Sequence, residues 1–209
     1  MARLIAFGCS FTYGHGLSDC FIPPAWPGIE PSKFAWPSLV ADSLELDVVN
    51  NSECGSSNKQ ILYRTLDFPF VETDTVIFLW SFFQRSIIYH VDSNLQILPN
   101  NSECEGYYKV HSDYDLFMET ALSIAHANLF LVSSKIKTYN FYFDRKLRLL
   151  LSQYPNNVAR NYELSYLQRS FQDTAPDKFH PGEKTQKTMA NSIIKFIKEK
   201  EHEFTQVLG

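Results

Sequence analysis

The segment Thr75–Trp80 constrains the fold of this chain more than any other. Its sequence, Thr-Val-Ile-Phe-Leu-Trp, is a near-continuous apolar run. Such runs are typical of strands buried on both faces, whereas half-exposed strands alternate apolar and polar residues. A strand of this kind needs helices on both sides, and the chain alternates short apolar segments with segments of helical periodicity. The sequence therefore predicts an α/β protein with a central parallel sheet.

The other predicted elements follow from apolar periodicity and from turn-forming residues. Further strands are predicted at Arg3–Phe7, Asp47–Asn50 and Tyr139–Phe143, with 162–167 as a strand or part of a loop. Helices are predicted at residues 38–46, 59–65, 116–137, 144–151 and 183–200. The proline-rich segment 15–37 is predicted to lack regular structure. Segment 88–113 is predicted to form loops, with a small hairpin as an alternative for part of it. We expect one domain, residues 1–209, because a chain of this length can bury about 70% of its unfolded surface.

A serine follows the first predicted strand in a glycine-containing turn, Gly8-Cys9-Ser10. Such a turn can hold the hydroxyl out of the sheet and direct backbone N–H groups at an incoming oxygen. A nucleophilic serine needs a base, and the base needs a group that orients it. Near the other end of the chain, Asp177 and His180 lie three residues apart and could supply both.

These segments resemble the sequence blocks of the SGNH (GDSL) hydrolases. The segment Gly8–Gly14, Gly-Cys-Ser-Phe-Thr-Tyr-Gly, is similar to their first block, usually Gly-Asp-Ser-x-Thr-x-Gly. Val49–Asn58 resembles the second block, and Asp177-x-x-His180-Pro181 resembles the last. The blocks occur in the family's order and span nearly the whole chain. The resemblance implies a three-layer α/β/α sandwich of the flavodoxin-like SGNH type, in the form of small stand-alone members found in phages and environmental bacteria.

The resemblance implies a serine esterase with a triad of Ser10, Asp177 and His180. Ser10 would attack the ester carbonyl, His180 would take its proton as general base, and Asp177 would fix the imidazole tautomer. Asp173 is a rival for the orienting role, and His15 is the other histidine close enough in sequence to Ser10 to line the pocket. This chemistry needs no metal and no cofactor.

The chain departs from the family's pattern at two places. Cys9 stands where the first block usually has Asp, which changes the hydrogen bonding beside the nucleophile without removing the reaction. The third block, Gly-x-Asn-Asp after a central strand, has no match in Ser81–Arg85, so the asparagine donor of the oxyanion hole is missing. Ser81 or Gln84 could replace it. Loss of one such donor typically costs ~100- to 1000-fold in rate.

Four further residues complete the predicted site. The backbone N–H groups of Ser10 and Gly55 would form the oxyanion hole, since glycine allows close backbone approach. Asn58 is either a helix cap or a donor in the pocket. Trp26 is a candidate lid or sugar-stacking residue in the proline-rich loop. Arg85 either pairs with a buried carboxylate or contacts an anionic substrate.

Charge and cysteine content limit the partners and the cellular compartment. The net charge is -4 and no long basic run is present, which argues against nucleic acid as a partner. The four cysteines show no Cys-x-x-Cys pair and no metal-ligand spacing with histidine, so we expect them to be reduced, with a Cys9–Cys54 disulfide as the alternative.

The apolar segments are too short for export or membrane insertion. The N-terminal run is too short for a signal peptide, and no segment is expected to reach the ~20 apolar residues of a membrane helix. We therefore expect a cytoplasmic protein with no membrane partner, or a virion-associated one if it is encoded by a phage.

Three functional hypotheses follow. The first is hydrolysis of O-acyl esters, such as acetylated sugars, short-chain esters or lysophospholipids, through an acyl-enzyme on a small-molecule or glycan substrate. The second is a non-catalytic binding or structural protein on an SGNH scaffold, for example a virion component, and it is motivated by the missing asparagine. The third is O-acyl transfer to a sugar acceptor. The presence of Ser10, Asp177 and His180 together favours the first.

Overall fold

The computed structural model describes residues 2–23, 26–89, 94–99, 101–167 and 171–208, with the side chains of 160, 161 and 203–208 excepted. In chain order its elements are β1 (Arg3–Phe7), α1 (Ser10–Tyr13), β2 (Phe21–Ile22), β3 (Trp26–Pro27), α2 (Trp36–Leu44), β4 (Asp47–Asn50), α3 (Asn58–Leu66), β5 (Thr75–Trp80), β6 (Ser86–Tyr89), β7 (Asn94–Ile97), α4 (Glu105–Val110), α5 (Asp113–Ser133), β8 (Lys137–Tyr142), α6 (Arg145–Gln153), β9 (Leu164–Tyr166) and α7 (Glu183–Leu208). Single 3₁₀ turns lie at Ser102–Cys104 and Val158–Asn161.

Five parallel strands form the central sheet in the order β4-β1-β5-β8-β9. Counted along the chain within this sheet, the order is 2-1-3-4-5, which is that of flavodoxin-like folds. The order reverses between β1 and β5, and in open α/β sheets ligands bind beyond the carboxyl ends of the strands at such a point. The chain segments that follow β1, β4 and β5 are therefore the ones expected to carry a site.

Alternate side chains of the two central strands serve two separate cores. One core packs against α2 and α7 and contains Leu4, Ala6, Trp36, Val40, Ile77, Leu79, Phe141, Ala190, Ile193 and Ile197. The other packs against α3 and α5 and contains Ile5, Phe7, Ile61, Val76, Phe78, Trp80, Phe117, Ile124 and Leu131. Each large apolar side chain that is fully buried contributes roughly 1.5–3 kcal/mol. The predicted α/β/α layering is confirmed, and the reason is the two-sided burial already evident in the apolar run of β5.

Long elements lie close to their predicted positions, with shifted ends. The predicted helix 116–137 begins earlier, because Ser112 and Asp115 form a reciprocal capping box in front of its apolar stripe. It also ends earlier, at Ser133, because Lys137 already pairs with Thr75 as the first residue of β8. The segment 162–167 contributes a true sheet strand, β9.

Two segments predicted as mainly irregular contain regular structure, including a small hairpin of the kind allowed for the second segment. The proline-rich loop holds the two-residue antiparallel pair β2–β3, and the segment 88–113 holds most of the β6–β7 hairpin and the helix α4. These elements are short and bury few apolar side chains, although Tyr107 and Tyr108 of α4 pack against one core, so they carry little apolar periodicity. Residues 24–25 of the first segment and 90–93 and 100 of the second lie outside the described residues.

One described helix, α5, is long and apolar enough by length and composition to cross a membrane, contrary to the expectation from sequence. Its mean hydropathy over the relevant window is 1.3, and half of that window is buried inside the protein. Much of its apolar surface, including Phe117, Ile124 and Leu131, belongs to one of the two cores. This burial is the ordinary behaviour of a core helix.

Candidate active site

Ser10 is the first residue of α1, directly beyond the carboxyl end of β1. The side chain of Thr12 packs so closely on Gly8 that a Cβ at position 8 would overlap it, which gives a physical reason for the glycine before the serine. Ser10 is nearly buried, with 4% of its surface exposed. The first N–H groups of a helix have no intrahelical acceptor, so the Ser10 amide is available to another group.

Asp177 and His180 form a close pair in the loop before α7. Asp177 Oδ2 lies 2.5 Å from His180 Nδ1, and Asp177 Oδ1 accepts the backbone N–H groups of Phe179 and His180 at 3.0 and 3.1 Å. Burial alone would raise the pKa of Asp177, but these hydrogen bonds and the imidazole outweigh it and hold that pKa below its usual value. The loop is closed by the N–H of Ala175 donating to the His180 carbonyl at 2.9 Å. Asp177 is therefore an ionised acceptor aimed at one ring nitrogen of His180.

The pKa of His180 lies below its ordinary value of 6.5. Burial is the largest cause, and the positive charges of His15 and Arg85 act in the same direction, whereas Asp177 opposes them. The imidazole is then neutral at pH 7. With the Nδ1 proton donated to Asp177, the tautomer inferred from this bond leaves Nε2 as a proton acceptor.

A cavity of about 480 Å³, called here the Ser10 cavity, is lined by residues from near both ends of the chain. Its described lining residues are Ser10, Phe11, Phe82, Gln84, Arg85, Pro99, Phe179 and His180. The structure thus places Ser10 and His180 on one surface, as the sequence hypothesis requires. Phe82, Phe179 and Pro99 were not foreseen, and Pro99 comes from the segment after β7.

Asp173, the rival orienting residue, has a different position. Its carboxylate accepts the backbone N–H groups of Lys184 and Thr185 at 3.1 and 2.8 Å, at the start of α7. Burial would raise the pKa of Asp173, but these bonds and the Thr185 hydroxyl lower it. Asp173 therefore caps a helix, and Asp177 is the acidic residue that contacts His180.

Gly55 lies in the loop after β4 with a φ of 82°, a left-handed conformation that suits glycine. The side chain of Gln96, from β7, lies directly over it, so that a Cβ at position 55 would overlap the Gln96 amide. Gln96 also donates from Nε2 to the Cys54 carbonyl at 3.2 Å. Among the described residues, no group accepts a hydrogen bond from the N–H of Ser10 or of Gly55.

Asn58 and Ser81 bond to one another rather than to the cavity. Asn58 is buried at the start of α3; its Oδ1 accepts the Ser81 N–H at 2.7 Å, and its Nδ2 donates to the Ser81 carbonyl at 3.1 Å and to Thr120 Oγ1 at 3.0 Å. Ser57, not Asn58, is the helix cap. Both Asn58 protons are used, which leaves no amide donor for a substrate. Of the two replacements considered for the missing asparagine, Gln84 lines the Ser10 cavity, and Ser81 is not among the described lining residues.

The aromatic side chain at the site is not the predicted one. Trp26 is 68% exposed on the β2–β3 pair and is not among the described residues that line the Ser10 cavity. Phe179, which is 78% exposed, does line it, one residue before His180. The sequence shows an aromatic residue next to the predicted base, which was the available signal, whereas its exposure comes from the structure.

Gln186 is a second residue that sequence reasoning missed. It is fully buried in α7, where Nε2 donates to the Phe11 carbonyl and Oε1 accepts the Trp36 N–H, both at 3.0 Å. The side chain of Asn50 reaches the same short helix from the other side, donating to the Thr12 carbonyl at 2.7 Å. Together these amides fix the backbone that carries Ser10.

His15, Asp177 and His180 form a group in which one potential ligand atom of each lies within 4.8 Å of the others. These three residues could hold a metal ion, which the sequence spacing did not predict. Gly16 makes room for the arrangement, since a Cβ at position 16 would overlap the Asp177 carboxylate.

All four cysteines are free thiols, as expected. Cys9 and Cys54 flank Ser10 and Gly55, and Cys9 is one of the neighbours that raise the pKa of Cys54. Burial raises the pKa of Cys54 to about 12, so that this thiol is protonated and unreactive at neutral pH.

No family model and no curated sequence matches the chain. An acetyl xylan esterase, Est2A, from the rumen bacterium Butyrivibrio proteoclasticus superposes with a TM-score of 0.67 at 13% identity, over 96% of this chain and 64% of that one. The esterase EstA from Pseudoalteromonas sp. superposes with a TM-score of 0.57 at 11% identity, over 96% of this chain and 98% of that one.

A third solved structure, described as a lipolytic protein of the G-D-S-L family from Desulfitobacterium hafniense DCB-2, has a TM-score of 0.52 at 13% identity, over 92% of this chain and 98% of that one. The chain spans 64% or 65% of the length of the first carbohydrate esterases that it resembles. At these identities the similarities show a shared fold.

Proposed function

We propose, from the premise that this chain has the SGNH/GDSL hydrolase fold, that it is a serine esterase acting on O-acyl esters through Ser10, His180 and Asp177. The observation that carries the proposal is the 2.5 Å contact between Asp177 Oδ2 and His180 Nδ1, on a histidine that shares the Ser10 cavity. A base oriented by a carboxylate beside a serine is the arrangement that activates a hydroxyl nucleophile. The esterase names of the structural neighbours agree with this chemistry.

In the proposed reaction, Ser10 Oγ attacks the ester carbonyl while His180 Nε2 takes the hydroxyl proton. The tetrahedral oxyanion is held by the N–H groups of Ser10 and Gly55, with the Gln84 side chain as the third donor. His180 then gives the proton to the departing alcohol, which leaves an acyl group on Ser10 Oγ. Water then attacks the acyl carbon as His180 takes its proton, and His180 returns that proton to Ser10 Oγ as the acyl–oxygen bond breaks and the acid leaves. Asp177 stabilises the imidazolium in both steps.

The substrate class is supported by the site and by the neighbours. The Ser10 cavity has a volume of about 480 Å³ and aromatic walls from Phe11, Phe82 and Phe179, which suit a short acyl group or a sugar ring. Several structural neighbours are named as carbohydrate esterases. We propose O-acetyl or other short-chain esters as the substrates.

The test is hydrolysis of 4-nitrophenyl acetate and its longer homologues by the wild type, by Ser10→Ala and by Ser192→Ala. Ser192 is a solvent-exposed serine on α7, so its variant controls for loss of a hydroxyl elsewhere. Activity that is lost in Ser10→Ala and kept in Ser192→Ala supports the proposal, and the chain-length profile sizes the acyl site. Equal rates in all three folded proteins would refute it. Product analysis with and without a glycan acceptor separates hydrolysis from acyl transfer.

A second candidate is a non-catalytic binding protein on the same scaffold. It is favoured by the lack of an asparagine donor for the oxyanion: the Asn58 amide is fully bonded to Ser81 and Thr120, and the Ser81 N–H is also occupied. One structural neighbour is described as a carbohydrate esterase whose active site has both catalytic and non-catalytic binding functions. A fluorophosphonate probe followed by peptide mass spectrometry distinguishes the two candidates. An adduct on Ser10 supports the esterase, and an unlabelled Ser10 in folded protein supports binding.

A further inference from the structure

Arg85 lies in the tight turn after β5 and lines the Ser10 cavity together with Ser10 and His180. Its N–H donates to the Phe82 carbonyl at 3.1 Å, which closes the turn. The guanidinium lies over the Phe82 ring, with Cζ 4.9 Å from the ring centroid, and Nη1 donates to Ser81 Oγ at 3.2 Å. The side chain is therefore held in place by a neutral ring and a neutral hydroxyl, with most of its five donors still available.

Among the described residues, Arg85 has no carboxylate partner. This contrasts with Arg3 and Arg64, which pair with Asp74 and Glu53 at 2.7 and 2.6 Å. Partly buried arginines are normally paired because desolvation of an uncompensated charge is costly. The buried-carboxylate explanation of this arginine, which the sequence left open, finds no partner in the described structure.

Among the described residues that line the Ser10 cavity, Arg85 is the charged one at pH 7. None of the cavity's described lining residues is acidic, and His180 is neutral at pH 7 because burial lowers its pKa. Asp177 lies beside His180 and is occupied by the imidazole and by two backbone N–H groups. The described wall of the cavity therefore presents a cation, Arg85, next to the reacting serine, in a chain of net charge -4.

A neighbouring cavity on the other side of Phe82 also has basic residues in its wall. This second cavity, of about 540 Å³, shares Phe82 with the first and is also lined by Arg145 and Lys146. Lys146 pairs with Asp113 at 2.7 Å, and the Asp144 carboxylate in the same wall accepts backbone N–H groups. Arg145, like Arg85, has no carboxylate partner among the described residues. An anionic substrate longer than one ring would find a second cation on this side.

We infer that Arg85 binds a carboxylate of the substrate, so that the preferred ester carries one negative charge near the acyl bond. The inference rests on the proposed esterase function and names its substrate class. A guanidinium pairs with a planar carboxylate through two parallel hydrogen bonds, which fixes orientation as well as charge. A single carboxylate matches the single cation, whereas a phosphate dianion would leave one charge uncompensated beside apolar walls. O-acylated acidic sugars and half-esters of dicarboxylic acids both meet this description.

Two isosteric substrate pairs test the inference and locate the carboxylate. On the alcohol side the pair is 3-acetoxybenzoate and 3-acetoxybenzamide. On the acyl side it is mono(4-nitrophenyl) adipate and the corresponding adipic monoamide ester. We expect the wild type to prefer the carboxylate member of at least one pair, and Arg85→Met to reduce that ratio of kcat/KM at least tenfold. Arg85→Lys, which keeps the charge and loses the planar fork, should restore part of the ratio.

The matched control is Arg148→Met. Arg148 also lies over an aromatic ring, with Cζ 4.7 Å from the Tyr166 centroid, and it is not among the described residues of the Ser10 cavity. Its loss should leave both rates unchanged. Absence of a carboxylate preference in both pairs, or a preference that Arg85→Met leaves intact, overturns the inference.

A binding measurement separates this inference from the proposed reaction. 3-Acetoxybenzoate and 3-acetoxybenzamide are titrated calorimetrically into Ser10→Ala and into Ser10→Ala/Arg85→Met. Tighter binding of the carboxylate that depends on Arg85, together with a wild type that hydrolyses neither ester, would support the arginine's role while refuting the esterase. Ser10-dependent hydrolysis of neutral esters without carboxylate preference would do the reverse.

Discussion

The imidazole of His15 lies against that of His180, with ring centroids 4.3 Å apart and planes inclined by 33°. Two histidines in contact repel one another when both are protonated, so a positive charge on His15 disfavours protonation of His180. His15 therefore acts with burial to keep the proposed base neutral. From sequence, His15 could be related only to the nearby Ser10. Its contact with His180 arises because the loop before α7 folds against the loop after α1.

The first prediction concerns pH. Neutral His180 is the base, so kcat/KM should fall as pH falls through the His180 pKa, and this acid limb should lie below the ordinary value of 6.5. His15→Phe keeps a ring at this position and removes its charge, so the limb should move to higher pH. His126→Phe, on the exposed side of α5, should leave it in place. A pH profile that does not respond to His15→Phe contradicts the assigned cause.

The second prediction separates the two acidic residues of the loop before α7. Asp177→Asn should lower kcat by about 10⁴-fold with little loss of stability, because the amide can stabilise the wrong imidazole tautomer and cannot stabilise the imidazolium. Asp173→Asn makes the same chemical change at the start of α7 and should leave kcat close to that of the wild type. Steady-state kinetics and thermal unfolding of both variants check this. A larger loss of kcat in Asp173→Asn would exchange their roles.

The fold could be predicted from sequence where a buried element consists of a run of neighbouring apolar residues. The strands Arg3–Phe7, Asp47–Asn50 and Thr75–Trp80 coincide with their predicted ranges, and the predicted α/β/α fold is confirmed. The side chains of β1 and β5 are mostly apolar because both faces of the sheet are covered there, and that requirement is local, whereas the edge strand β4 is half polar and partly exposed. The helix α4 has no buried residue, so no apolar stripe was available to predict it.

The site could be predicted less completely, because hydrogen bonds between residues distant in sequence determine which side chains face the cavity. Ser10, Asp177 and His180 could be named from short motifs, but the engagement of Asn58 with Ser81, 23 positions away, could not. Gln186 bonds to Phe11 over 175 positions. An amide side chain has the same composition whether it binds substrate or backbone, so only the folded chain distinguishes these uses.

The third prediction concerns this buried amide. Gln186→Leu removes the bonds to the Phe11 carbonyl and the Trp36 N–H and leaves both backbone groups buried. The free energy of unfolding should fall by about 2–3 kcal/mol. Gln153→Leu, on an exposed position of α6, should change it little. Urea denaturation of the two variants is the measurement, and equal stability in both would remove the positioning role assigned to Gln186.

The fourth prediction uses two glycines. Gly55→Ala places a Cβ in a left-handed conformation, which costs about 1–2 kcal/mol, and against the Gln96 amide. The displaced N–H should reduce kcat by up to ~100-fold. Gly106→Ala adds a Cβ into open space on α4 and should raise stability slightly.

Gln96→Ala tests the steric part of this effect. In the double variant Gly55→Ala/Gln96→Ala the overlap is gone, so part of the lost kcat should return, with the backbone strain left as the remainder. Additive losses in the double variant would show that Gln96 does not limit the position of the Gly55 loop.

The fifth prediction is inhibition by zinc. His15, Asp177 and His180 offer two imidazoles and a carboxylate within 4.8 Å of one another, and Zn²⁺ prefers nitrogen ligands with an oxygen or sulfur ligand. A zinc ion there would occupy the proposed base, so Zn²⁺ should inhibit reversibly and EDTA should restore activity, whereas Mg²⁺, which prefers oxygen ligands, should have no effect. His15→Phe removes one ligand and should raise the half-inhibitory Zn²⁺ concentration at least ~10-fold. Equal zinc sensitivity in the wild type and in His15→Phe would place the inhibitory ion elsewhere.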